Sequence, residues 1–260
     1  MERERCRSWV FAAGWAGLAA LAAAGARAGE AVAGGGEEIV VAHFGDSTSA
    51  CSYLKPEERV DAVLNKLLAA RYPKQKVVNL NLARDGEFIR QLLDGGLTLG
   101  KETVKPRYAE KILPKVKRMD IAILRYGQND WKLEQRKDLA PDGYGTEAFR
   151  KDYERLIAAL RKDYPGVRIV LETGTCFGDD SWTDKLSKRY WDAMRALAAE
   201  HKLPLADNHK RWQDELAKEK RQLRNDGHPT IEGVRVNADE LCKVFAATWP
   251  ERLPAAERKP

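Results

Sequence analysis

The stretch Ile39-Val-Val-Ala-His-Phe-Gly-Asp-Ser-Thr-Ser49 decides how the chain is read. From Ile39 to Phe44 it is apolar at every position except His43, so it has no polar face to turn to water. A short run of that kind suits a strand in a sheet that is covered on both sides. The run stops at Gly45-Asp46-Ser47, residue types that favour tight turns and helix caps. Strand, turn and serine hydroxyl therefore follow one another directly.

The alternation continues outward from this stretch. Glu57 to Tyr72 carries apolar residues at 60, 63, 64, 67 and 68, which is helical spacing. Val77 to Leu80, Ile121 to Leu124, Val167 to Leu171 and Leu203 to Ala206 read as further strands. Gly86 to Leu93, Arg107 to Lys117 (interrupted by Pro114), Glu147 to Tyr164, Lys185 to His201 and Ile231 to Trp249 read as helices. Five short apolar strands separated by helices give an α/β domain with a parallel sheet. The right-handed crossover rule makes it a doubly wound, three-layer α/β/α arrangement. No internal repeat or second core is visible, and the domain spans residues 38–250. The tail 251–260 is polar and contains proline, so it is expected to fray.

Ahead of the domain the chain has the pattern of an export signal. Arg3, Arg5 and Arg7 precede the Ala-rich apolar run from Val10 to about Gly25, and Ala26-Arg27-Ala28 matches a cleavage site. The run is at the short end of what spans a bilayer. The expectation is a signal peptide over 1–28, a Gly-rich linker over 29–37, a secreted or periplasmic product and no stable membrane span after cleavage. Removing four basic and two acidic residues lowers the formal charge from +6 to +4.

Composition excludes several classes. With 43% hydrophobic and 32% charged residues, the 260-residue chain is neither disordered nor a multi-span membrane protein. Lys and Arg are interspersed with acid, which argues against a nucleic-acid partner. Four cysteines in a chain this long are no disulfide framework, and no Cys/His spacing suggests a metal. Cleavage would leave Cys51, Cys176 and Cys242, an odd number. Cys51, four residues after Ser47, lacks a local His/Asn context and is not taken as a nucleophile.

A doubly wound sheet presents its ligand site at the carboxyl ends of its strands. Those ends carry Gly45-Asp46-Ser47, then Asn81 to Gly86, then Gly127-Gln128-Asn129-Asp130. Asn225-Asp226-Gly227-His228-Pro229 stands just before the last helix. Each segment alone is an ordinary turn or cap; together they supply acyl-transfer chemistry. A serine hydroxyl is a weak nucleophile until a base takes its proton, and His228 is the one histidine in a turn with an adjacent acid. The backbone N–H groups of Ser47 and Gly86 and the Asn129 amide can face a developing oxyanion. No metal or cofactor is required. His43 reads as a packed core histidine, His201 as a helix-end cation, His209 as part of a helix start, and Asp46 and Asp130 as turn braces.

This ordered set resembles the SGNH (GDSL) hydrolase superfamily, over essentially all of residues 38–248. Its four name residues correspond to Ser47, Gly86, Asn129 and His228. Phe-Gly-Asp-Ser and Gly-Gln-Asn-Asp are close matches, and Asn81 to Gly86 a looser one. The resemblance implies a flavodoxin-like sheet of five parallel strands and a metal-free esterase, lipase, thioesterase or carbohydrate deacetylase. The last block departs from the family, which places Asp three residues before the histidine. Here Asn225 holds that place and Asp226 lies two before His228. Asp226 is the first choice to orient His228. Asn225, a backbone carbonyl or Asp207 after the fifth strand are the alternatives.

Trp131, Tyr144, Phe177 and Trp182 lie in the long loops after the third and fourth strands. Trp131 and Trp182 can serve as a stacking platform for a sugar or as caps on the core. Neither loop is apolar enough to roof a fatty-acyl tunnel. The functional expectation is therefore a serine esterase that removes short acyl groups, acetyl in particular, from a carbohydrate. A lysophospholipase or thioesterase of the same fold and a non-catalytic carbohydrate-binding relative are the rivals.

Overall fold

The structure is a computed structural model, and it describes residues 37–97, 102–140, 142–175, 182–216 and 228–256. The expected signal peptide, the linker up to residue 36, Asn225, Asp226, Cys176 and Phe177 lie outside the described residues. In chain order, the elements begin with β1 (Glu38–Gly45), α1 (Ser47–Ala50), α2 (Val60–Arg71) and β2 (Lys76–Asn81). Next come α3 (Ile89–Asp94), the short antiparallel pair β3 (Gly96–Leu97) and β4 (Thr103–Val104), β5 (Ile121–Arg125), α4 (Thr146–Asp163) and β6 (Arg168–Glu172). The chain continues through α5 (Trp182–His201), β7 (Leu205–Ala206), α6 (Asn208–Leu216) and α7 (Ile231–Thr248).

Five strands form one parallel sheet in the order β2-β1-β5-β6-β7. Alternation along β1 explains the layers. Ile39 and Val41 join Ile121, Ile123 and Val170 in a core with α2 and α7. Ala42 and Phe44 join Ala122, Leu124 and Leu171 in a second core with α3, α4 and α5. Both faces are therefore dry, as the unbroken apolar strands require. Each fully buried Leu, Ile or Phe stabilises this arrangement by about 1.5–3 kcal/mol. From β1 the chain crosses to β2 on one side, then returns to β5 on the other. The strand order reverses between β1 and β5, and the crevice at their carboxyl ends is where such sheets bind ligands.

Two expected helices come out shorter. The first begins at Ile89 rather than Gly86, because Gly86 adopts φ +72° and Phe88 is extended. The stretch Arg107 to Lys117 forms only a π-type turn over Tyr108–Ile112. Pro106 and Pro114 bracket it, and a proline interrupts the helical hydrogen-bond ladder.

The described part of the tail, residues 251–256, does not fray as expected. Leu253 is completely buried and exchanges hydrogen bonds with the Gln75 side chain, at 2.8 Å through its N–H and 3.0 Å through its carbonyl. Ala256 N donates to Asp120 Oδ1 at 2.7 Å. Residues 250–256 form a strap across the amino-terminal ends of the strands. Among the described residues, no helix is long and apolar enough to cross a membrane.

Candidate active site

The turn after β1 is built by Asp46. Its carboxylate accepts from Thr48 N at 2.8 Å and from Thr48 Oγ1 at 2.7 Å. This capping bends the chain out of the strand into the four-residue helix α1, with Ser47 first. Arg125, buried at the end of β5, donates from Nη1 to Thr48 O at 2.9 Å and fixes the turn from beneath. Cys51 closes the helix in a left-handed conformation, and its thiol donates to Thr48 O at 3.3 Å. Burial pushes the thiol's pKa up. A buried, protonated thiol is inert.

Ser47 and His228 come together across the molecule. His228 Nε2 stands 2.9 Å from Ser47 Oγ, within reach for proton transfer. His228 lies just ahead of α7, whose first turn is capped by Thr230 Oγ1 accepting from Gly233 N. Tyr53 braces the same segment. Its ring meets the imidazole edge-on at 5.0 Å, and its hydroxyl donates to Pro229 O at 3.0 Å. Asp207 is committed elsewhere: Arg195 donates to its two oxygens, both at 2.8 Å, and Thr173 Oγ1 donates at 3.1 Å. Burial acts to raise its pKa, but the bonds from Arg195 outweigh that and hold it below the usual carboxylate range.

Gly86 and Asn129 arrive from the ends of β2 and β5. The φ of +72° at Gly86 is one that side-chain-bearing residues rarely adopt. Asn129 Nδ2 donates to Glu87 O at 3.1 Å, which joins the two segments and leaves the second amide hydrogen available. Asp130 clamps the same segments. It accepts from Ile89 N at 3.1 Å and Gly127 N at 2.9 Å, and Tyr144 donates to it at 3.2 Å. Burial lifts its pKa to about 7, against the pull of those donors.

Other expected residues fall in place as scaffold. His43 is buried, with Nε2 2.8 Å from Asn79 Oδ1, and His209 sits in the first turn of α6. Trp131 is only 7% exposed and packs in the α4/α5 core, so little of its ring is left for a sugar to stack on. Of its two readings, the cap on the core is the one this burial favours. Trp182 opens α5, and its side chain lies outside the described residues. Tyr53, Arg125 and Lys132 were not singled out from the sequence. Only Lys132, three residues after Asn129, carried a local signal.

Known proteins share this fold. The family model of the GDSL-like lipase/acylhydrolase family matches residues 43–236, a span that contains Ser47, Gly86, Asn129 and His228. The chain thus belongs to the serine ester hydrolases of SGNH type. It is a member of the GDSL-like lipase/acylhydrolase family. Among solved structures it is similar to LAE5, described as an alpha/beta hydrolase enzyme from the metagenome of Lake Arreo, Spain. That match has a TM-score of 0.64 and 20% identity, over 81% of this chain and 96% of that one. It is also similar to Axe2, an acetylxylan esterase from Geobacillus stearothermophilus, with a TM-score of 0.62 and 19% identity, over 81% and 95% of the two chains. At these identities the likeness speaks for the fold alone. No curated protein matches the chain in sequence.

Proposed function

We propose that this ester hydrolase removes short acyl groups, acetyl first among them, from a carbohydrate through an acyl-enzyme on Ser47. The observation that carries the reading is the 2.9 Å approach of His228 Nε2 to Ser47 Oγ at the switch point of the sheet. His228 takes the serine proton as Oγ attacks the ester carbonyl. The oxyanion meets the N–H groups of Ser47 and Gly86 and the free amide hydrogen of Asn129. His228 then protonates the leaving alkoxide, and water repeats the sequence on the acyl-enzyme. Asp226 takes the role of orienting the imidazole and stabilising its charged form.

Two features favour a short acyl group. Neither long loop is an apolar stretch, and among the described residues Leu113 is the single exposed large hydrophobic side chain. The carbohydrate half of the reading draws on the acetylxylan esterase named above, and export on the signal-like amino terminus. Turnover of acetyl against octanoyl p-nitrophenyl esters tests the acyl preference. Acetyl is expected to be faster, and faster octanoyl turnover would assign the chain to lysophospholipases or thioesterases. A fluorophosphonate is expected to label wild type and not Ser47→Ala. An unlabelled but folded wild type would favour the binding relative. Asp226→Asn is expected to lose kcat while Asp207→Asn keeps it.

A further inference from the structure

Lys132 lies on the 3-10 helix Asp130–Gln135, which follows the Asn129 segment. Residues three apart eclipse one another in a 3-10 turn. Lys132 N donates to Asn129 O at 3.0 Å, and the side chain curls back over the same turn. Its Nζ donates to Asn129 Oδ1 at 3.2 Å. The ammonium also stands 5.6 Å from the centre of the Trp131 ring.

An asparagine that stabilises an oxyanion faces a choice that the backbone donors do not. A half-turn of its carboxamide replaces the donor with a lone pair, which would repel the developing charge. Two contacts select the useful orientation: Glu87 O accepts from Nδ2, and Lys132 donates to Oδ1. The second contact also polarises the amide. A charged donor on Oδ1 draws density from Nδ2 and strengthens its remaining N–H, as linked hydrogen bonds do. We propose that Lys132 is a positioning residue for the oxyanion hole, holding and polarising the Asn129 amide through its bond to Oδ1. This rests on the reading of Asn129 as an oxyanion donor. Burial lowers the pKa of the ammonium, and the charge on Asp46 pulls it back up.

The test is a mutant cycle with p-nitrophenyl acetate on the folded full-length protein, comparing Lys132→Met, Lys132→Arg, Asn129→Ala and the double variant Asn129→Ala/Lys132→Met. Methionine keeps an apolar stem against Trp131 while removing the ammonium. Loss of an oxyanion donor typically costs about 100–1,000-fold in kcat, and Asn129→Ala is expected in that range. Lys132→Met is expected to lower kcat roughly 10- to 50-fold, short of losing the donor itself. Its KM should stay within about threefold, and Lys132→Arg should restore most of the activity. In the Asn129→Ala background Lys132→Met should change kcat by less than about threefold, because the partner is gone. An unchanged kcat in Lys132→Met, or an equal loss in both backgrounds, would overturn the proposal while leaving Asn129 in its role. Full activity in Asn129→Ala would overturn the oxyanion reading and this inference with it.

Discussion

Glu172 brings a carboxyl group into the core at the end of β6. Asn208 Nδ2 donates to its Oε1 at 2.6 Å, and Arg125 Nε stands 3.8 Å from the same oxygen. Burial dominates and lifts its pKa to about 7, with the Arg125 charge opposing. An unfolded glutamate titrates near ~4.3. The folded state therefore binds the proton more tightly, and the stability this gives is full below pH ~4 and lost as pH rises through about 7. Glu172→Gln keeps an acceptor for Asn208 and removes the titration. The fall in Tm from pH 5 to pH 8 is expected to be shallower in that variant; an equal fall would show that Glu172 is not the source. At this scale the sequence was uneven. Ser47, Asn129 and His228 announce themselves by type and by turn. Tyr53 and Arg125 act through partners far away in the chain, and no local pattern marks them.

The end of β5 shows how elements are fitted together. Gly127 has φ +127°, and a Cβ there would sit 2.4 Å from Cζ3 of Trp191 on α5. Gly127→Ala would force the indole away and strain the backbone, at a cost of roughly 2–4 kcal/mol. Urea unfolding measures this, and a variant as stable as wild type would refute the packing argument. Such contacts are beyond a reading of periodicity, but the main elements were not. β1, β2, β5, β6, α2, α4, α5 and α7 all appear within a few residues of their expected limits, because each is a long or unbroken apolar pattern. Only the start of α6 was legible, at His209; its body shows no period because Trp212 and Leu216 are its only apolar residues. Its start is set by Asp207, which accepts from Lys210 N at 3.2 Å. The 3-10 helix over Asp130–Gln135 was also unread, being too short to show a period.

For the molecule as a whole, the lack of a repeat or second core in the sequence pointed to one domain, and the described residues bear out the doubly wound sheet. The strap was the surprise. Its backbone is polar and its residues unremarkable, but Leu253 fills a place in the α2/α7 core. Arg71 Nη2 also donates to Pro250 O at 2.6 Å. Truncation after Trp249 would remove the Leu253 burial, about 1.5–3 kcal/mol, and hydrogen bonds worth about 1 kcal/mol each. The Tm is expected to fall, whereas kcat on p-nitrophenyl acetate should remain within about twofold, because the strap lies at the strand ends opposite the site. A loss of kcat in the folded, truncated protein would contradict that separation.

Asp120 joins the two ends of this domain. Its Oδ2 accepts from Val40 N at 2.7 Å near the start of β1, and its Oδ1 accepts from Ala256 N. A ribosome makes Val40 early and Ala256 more than 200 residues later. Until Ala256 is made, Asp120 lacks its bond from that residue, and His228 and α7 arrive late as well. Ser47 is made 181 residues before the imidazole that it faces. The nascent polypeptide thus carries Ser47 without the imidazole that faces it through most of its synthesis, and the two meet only once the segment ahead of α7 has been made.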